Sequence, residues 1–285
     1  MNKVQKKAFQ LLYQFDRICK ELGLSYFLVC GSALGAVKYG GFIPWDDDID
    51  VAMFRDEYEI FCEKAPLKIS SQCFLQNYRT EPVFPAIYSK LRDSSTTCME
   101  ESVASLPINH GICIDIFPLD GYPSDRQEQI LLEVKKRFYM RMLSVSCVRP
   151  EFWKEMILKP FRILGFGKNT ATIAARYTEC ISAWSVRSSK NVANHGNWQG
   201  KLDYHEAEVY GEGFEIKFEG LPVLVPFQYD KYLMQKYGNY YRDPPKEMQR
   251  SHHRYLHLDP DHPYSDYLEK KTKRGVAKNA YSKKK

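Results

Sequence analysis

The stretch Gly41-Phe42-Ile43-Pro44-Trp45-Asp46-Asp47-Asp48-Ile49-Asp50-Val51, preceded by Gly31-Ser32-Ala33-Leu34-Gly35-Ala36-Val37-Lys38, decides how this chain folds. Asp48, Ile49 and Asp50 alternate acid, apolar, acid, and residues i and i+2 of a strand project from one face. The pattern predicts a strand from 48 to about 53 that aims two carboxylates at one point while Ile49 faces the core. Two like charges so placed need a cation between them. Magnesium suits the position, because it takes oxygen ligands, is held by one or two carboxylates and completes its shell from substrate phosphates. Manganese is the alternative ion. A third carboxylate, Asp115, falls within residues 111–117, where Ile112, Ile114 and Ile116 alternate with Cys113, Asp115 and Phe117. That alternation separates a core face from a site face and makes Asp115 a third ligand or a base.

Around these strands the punctuation predicts an α+β pattern. A charged amphipathic helix is expected at the N-terminus (Val4, Ala8, Leu11, Leu12, Phe15, Ile18, Leu22). A short strand at 26–30 breaks at Gly31-Ser32 into a helical turn through 33–37, and glycines 40 and 41 with Pro44 mark a loop. A further strand is expected at 86–91. From Ser124, an N-cap with Gln127 three residues on, helices are expected through 147, over 151–163 and over 170–187. The chain then returns to strands at 214–218 and 221–225, and to a helix at 228–237 that ends at Gly238. The result is a mixed sheet core with flanking helices and a helical insertion at about 124–190, in one catalytic domain over 1–269.

Length and composition set the bounds. With 285 residues, 44% of them hydrophobic and 14% aromatic, the chain can fill a core. It holds no apolar run long enough to span a bilayer and no continuous apolar leader, so a cytoplasmic location is expected. The eight cysteines contain no C-x-x-C pair, which excludes a zinc ribbon or a redox motif and reads as reduced core residues. The net charge of +6 sits in the tail. From Lys270 onward there are eight basic residues and no acid, which leaves 33 basic against 35 acidic residues in the body. A near-neutral body argues against nucleic acid as a partner. Residues 270–285 read as a disordered basic tail, with peripheral contact to an anionic membrane surface as the functional alternative.

The glycine-serine turn, the Trp45-Asp46-Asp47-Asp48-Ile49-Asp50 run, Asp115-Ile116-Phe117-Pro118-Leu119-Asp120-Gly121, and the stretch from Val225-Pro226 to Tyr237-Gly238 together resemble the signature of the LicD family. The resemblance implies a nucleotidyltransferase fold and transfer of phosphocholine from CDP-choline to a glycan precursor of the teichoic acid or lipooligosaccharide type, with release of CMP. The similar fukutin-type enzymes imply CDP-ribitol as an alternative donor, and CDP-glycerol is a third. An NTP-using nucleotidyltransferase shares the glycine-serine pair and paired aspartates, and a non-catalytic membrane module is the remaining rival. The partners so implied are a CDP-linked donor and a glycan or lipid-linked glycan acceptor. The expected chemistry is in-line attack of a sugar hydroxyl, deprotonated by Asp115 or a metal-bound carboxylate, on the donor phosphorus.

Asp48, Asp50 and Asp115 are thus the expected catalytic and metal residues. Gly31 and Ser32 can offer amides and a hydroxyl to phosphate oxygens. Lys38 stands where the family usually has arginine, and it keeps the charge without the bidentate fork. Lys90 and Arg92 share one strand face and can neutralise the diphosphate. Of His252, His253, His257 and His262, the first two are candidates for donor phosphates or proton transfer. Asp47 is expected to be structural. The aromatics, Trp45, Trp198, Tyr204, Tyr240 and Tyr241 among them, include enough rings for a quaternary-ammonium box, with core packing the more general use.

Overall fold

The computed structural model describes residues 1–147, 169–197, 200–251 and 253–268, together with positions 156, 160 and 163. Helix α1 (Lys3–Leu22) starts at a capping box, in which Asn2 accepts from the Gln5 amide and the Gln5 side chain accepts from the Asn2 amide, each at 2.9 Å. Two of the donors that a helix start leaves orphaned are thereby satisfied. The predicted stripe of Ala8, Leu11, Leu12, Phe15 and Ile18 is buried.

Among the described residues, seven strands form one sheet in the order β1 (Phe27–Leu28), β2 (Asp50–Phe54), β6 (Ile112–Tyr122), β4 (Ser89–Asp93) and β3 (Cys73–Gln76), with β7 (Asn191–Asn194) and β8 (Tyr204–Glu206) continuing from the far half of β6. β2 and β6 are parallel and all other pairs antiparallel, so the sheet is mixed as expected. Leu91, Ile112, Ile114 and Ile116 are buried on the face that α1 covers. β6 runs past the predicted end at 117. Its Pro-Leu-Asp-Gly sequence reads locally as a turn, but Asp120 is fully buried in a bidentate pair with Arg55, two bonds of 2.7 Å, and the backbone there pairs with β7.

The remaining elements frame this sheet. α2 (Cys30–Tyr39) is a full helix where a short turn was expected, and it ends at Gly40 in the left-handed conformation. α3 (Arg55–Lys64) follows β2. In the insertion, α4 (Arg126–Ser146) packs on α5 (Thr170–Ile181) over a second small core that includes Tyr122, Leu132, Leu143 and Tyr177. Its N-cap is Asp125 rather than Ser124, with the carboxylate accepting from the Gln127 and Glu128 amides at 2.8 and 3.0 Å. A carboxylate caps and also complements the helix dipole, which a hydroxyl does not. The expected helix over 151–163 lies outside the described residues, apart from its isolated positions, and so does the tail from 270. Beyond α6 (Ala207–Tyr210), the two predicted strands are β9 (Phe214–Phe218) and β10 (Leu221–Val225), which pair as a hairpin, and the predicted helix is α7 (Tyr229–Tyr237), closed by Gly238. β11 (Tyr255–Asp259) pairs with β5 (Thr97–Glu100) and returns the C-terminal segment to the front of the sheet. All eight cysteines are free.

Candidate active site

Strand register builds the centre of the site. Asp50 on β2 is level with Asp115 on β6, and Asp115 is level with Lys90 on β4. Three neighbouring strands therefore set acid, acid and base side by side on one face. The Lys90 ammonium lies 2.9 Å from Asp115 Oδ1 and 3.3 Å from Glu100 Oε1, with its side chain 9% exposed. Burial opposes the charge on Lys90, but Asp115 and its neighbours outweigh that and hold the ammonium well above the usual lysine range. Reciprocally, Lys90 holds Glu100 down to about 2. Asp115 is raised by burial against the opposing pull of Lys90.

Asp48 is not in the strand. β2 begins at Asp50, and Asp48 belongs to the approaching loop, although Ile49 points into the core as predicted and its carbonyl accepts from the Asp115 amide at 2.8 Å. Pro44 and the turn closed by the Asp46 amide on the Ile43 carbonyl, 2.9 Å, keep this segment off the sheet until Asp50. Asp46, Asp48 and Asp50 nevertheless crowd together. Burial first and then Asp48 push the Asp46 carboxyl up to about 8. Burial, followed by Asp48, Asp115 and Asp46, holds Asp50 well above the carboxylate range. Asp48 is the member that stays ionised: burial opposes it, but the bond of 2.9 Å from His253 Nε2 keeps it low, and His253 itself is raised to about 9.

The first turn of α2 is wedged into this cluster. Ser32 Oγ accepts from the Asp50 amide at 2.8 Å, tying the helix start to the strand that carries the carboxylate. A Cβ on Gly31 would meet Asp46 Oδ2 at 2.7 Å, and one on Gly35 would meet the Gly41 carbonyl at 2.4 Å. The signature glycines thus permit close approach of the acid and of the loop backbone. Just before them Cys30 has φ +52°, a left-handed conformation that costs a residue with a side chain about 1–2 kcal/mol. α7 holds it there. Tyr232 and Lys236 are one turn apart on that helix; the Tyr232 hydroxyl accepts from the Cys30 amide at 3.0 Å, and Lys236 reaches the thiol while forming a fully buried ion pair with Asp203. Asn197 Nδ2 also lies 3.0 Å from the Cys30 sulfur.

The other predicted residues divide. Arg92 is 1% exposed and fully engaged, donating to Gln76 at 2.5 Å and to the Gly111 carbonyl at 2.6 Å, so it fastens β3 and the start of β6. Lys38, at the far end of α2, pairs with Asp243 at 2.6 Å and donates to the Tyr240 carbonyl at 3.0 Å, away from the acids. Asp47, expected to be structural, accepts from Ser251 at 2.9 Å. His252 and Trp198 lie outside the described residues. Among the described residues, the side chains grouped closely enough to hold one ion are Asp47, Asp48 and His253. Sequence reasoning missed Asp46 as a cluster member, and it missed Glu100, Cys30, Asp203, Tyr232 and Lys236. Only Asp46 carried a local signal, its shared parity with Asp48. Aromatic rings do line the same face, where Tyr88 and Phe117 stand 4.7 Å apart and the Lys90 ammonium is 5.7 Å from the Tyr88 ring. The Lys90 cation already over the Tyr88 ring makes this pair a poor quaternary-ammonium box.

The donor set suits a hard divalent ion. It is rich in carboxylate oxygens; burial first and then mutual repulsion push two of them, Asp46 and Asp50, above the ordinary carboxylate range, and a bound cation would relieve that repulsion. Against known proteins, residues 23–141 match the family described as LicD/FKTN/FKRP, nucleotidyltransferase domain. Over 266 residues the chain is 29% identical to a lipopolysaccharide cholinephosphotransferase LicD of Haemophilus influenzae, covering 87% of this chain and 94% of that protein. No described helix is long and apolar enough to cross a membrane.

Proposed function

We propose that this chain, which belongs to the LicD family through the nucleotidyltransferase domain of residues 23–141, is a transferase that moves phosphocholine from CDP-choline to a hydroxyl of a cell-surface glycan precursor, releasing CMP. The observation that carries the reading is the row Asp50–Asp115–Lys90 with Asp46 and Asp48 in front of it. A diphosphate-linked donor is a polyanion, and an acid cluster of this kind accepts one only with a divalent cation between them. The named relative, a cholinephosphotransferase, supports the choice of cargo.

In this reading Asp48 and Asp50 would hold magnesium, with manganese as a substitute, and Asp47 and His253, which group with Asp48, would be the further donors. The ion supplies charge neutralisation on the diphosphate oxygens. Lys90 keeps Asp115 in place and balances its charge. Asp115, raised by its burial, accepts the proton of the attacking hydroxyl, since a carboxyl moved toward neutrality is a better base. Ser32 fixes the Asp50 backbone, and the amides of the first turn of α2 present a positive dipole end to the phosphates. The CDP-linked donor and a glycan or lipid-linked acceptor would meet on this face, and a cytoplasmic, membrane-peripheral location agrees with such an acceptor.

CMP release with CDP-choline, CDP-ribitol and CDP-glycerol, each with magnesium and an acceptor glycan, tests the donor. Pyrophosphate from CTP or ATP would instead reveal a nucleotidyltransferase. Asp48→Ala and Asp50→Ala should each abolish transfer in a protein that still folds; undiminished activity in either overturns the site.

A further inference from the structure

α4 carries an apolar face that points away from the protein. Ile130, Leu131, Val134 and Phe138 are 57%, 54%, 60% and 58% exposed. At about 100° per residue, with Ile130 at the origin, Val134 falls near 40°, Phe138 near 80° and Leu131 near 100°, an arc roughly 100° wide. The buried Leu132, Lys136 and Leu143, which face the second core, lie about 200–240° round, on the opposite side. Cations border the arc: Arg137 and Arg126 at about −20° and −40°, Lys135 at about 140°, and Arg141 at about 20° one turn beyond. All four are exposed. The nearest acid on one border, Glu133, is turned inward to Lys136 and Tyr204.

We infer that this face of α4 docks on an anionic lipid surface, with the apolar arc in the interface and the arginines and Lys135 among the headgroups. The pattern is that of a helix lying in the interface plane: a wide apolar sector including an aromatic ring, flanked by Arg and Lys. Ordinary surface helices of water-soluble proteins turn polar residues outward. Charge complementarity selects the occupant. A second copy related by a two-fold axis would bring the same basic borders against each other, whereas an anionic leaflet attracts each cation. The helix is too polar to cross a bilayer, so it lies on the surface.

Full-length protein is sedimented with phosphatidylcholine vesicles carrying about a third phosphatidylglycerol, and with phosphatidylcholine alone. Binding is expected to the anionic vesicles. Ile130→Ser/Val134→Ser/Phe138→Ser, which changes no charge and replaces exposed side chains only, should lower the partition more than about tenfold with an unchanged Tm. Arg137→Gln/Arg141→Gln should lower it about fivefold per cation lost. The apolar variant leaves the basic residues beyond 270 unchanged, so it is decisive for α4: undiminished binding overturns the proposal. A parent dimer in light scattering that the same variant dissolves also overturns it, in favour of a second copy.

Discussion

Replacing Lys90 with methionine removes the ammonium that Asp115 and Glu100 share while keeping most of the stem. At 2.9 Å from Asp115 and an effective dielectric constant of ~20, the attraction is about 6 kcal/mol, and Glu100 at 3.3 Å adds about 5. Desolvation of the three charges offsets much of this, and removing one member of a buried pair costs about 3–5 kcal/mol. Asp115 and Glu100 keep 17% and 27% side-chain exposure, so the lower end, about 3 kcal/mol, is expected for Lys90→Met. Urea unfolding at neutral pH in chelator, followed by circular dichroism, measures it. In the double variant with Asp115→Asn, the loss should fall short of the sum of the singles by about 1–2 kcal/mol, because the two changes break one interaction. The pH dependence supplies a second check. Glu100 is held at about 2 by Lys90, below its unfolded value, so its contribution is present above about pH 4.5 and is lost as pH falls toward 2. That loss should vanish in Lys90→Met. A variant within about 0.5 kcal/mol of the parent, or strict additivity, would refute the reasoning.

Three further outcomes follow from the same geometry. Asp50→Asn should raise Tm in chelator, by a few degrees for about 1 kcal/mol, because it removes a carboxyl that burial and its acid neighbours hold neutral in the fold while the unfolded chain ionises it; with magnesium the sign should reverse, and thermal melts in both buffers read it. At position 30 glycine should be better tolerated than alanine by about 1 kcal/mol in urea, inverting the helix ranking, since φ there is +52°; alanine ahead of glycine would remove the strain argument. His205, buried between Tyr210 and Tyr232, is held down to about 4 chiefly by burial, so the unfolded chain takes its proton first. Stability should therefore decline by about 3 kcal/mol as pH falls from about 6.5 to 4, and a His205→Phe variant should show a flatter profile over that window.

How far the sequence carries is visible at Lys90 and Arg92. Both were legible as cations on one strand face, and they are. Their different uses were not, because the partners of Lys90 come from β5 and β6, and those of Arg92 from β3 and the Gly111 turn. The loop 44–49 shows the same limit in reverse. Alternation predicted a strand face for Asp48, yet a proline and a local turn keep it off the sheet, and it joins the cluster by a different route. His253 was a weak candidate among four histidines until β11 placed it on Asp48, 205 residues away in the chain.

The sequence by itself determined the α+β pattern, the core faces of α1 and β6, the reduced cysteines, and the pairing of a glycine-serine turn with clustered acids. Those properties are local, set by side-chain period and by the backbone freedom of single residues. Only the tertiary structure decided which acids repel, which one is neutralised by Lys90, and how α7 holds Cys30 in a conformation it would not adopt alone. Each depends on strand register and on burial, and both are fixed by the packing of segments far apart in the chain.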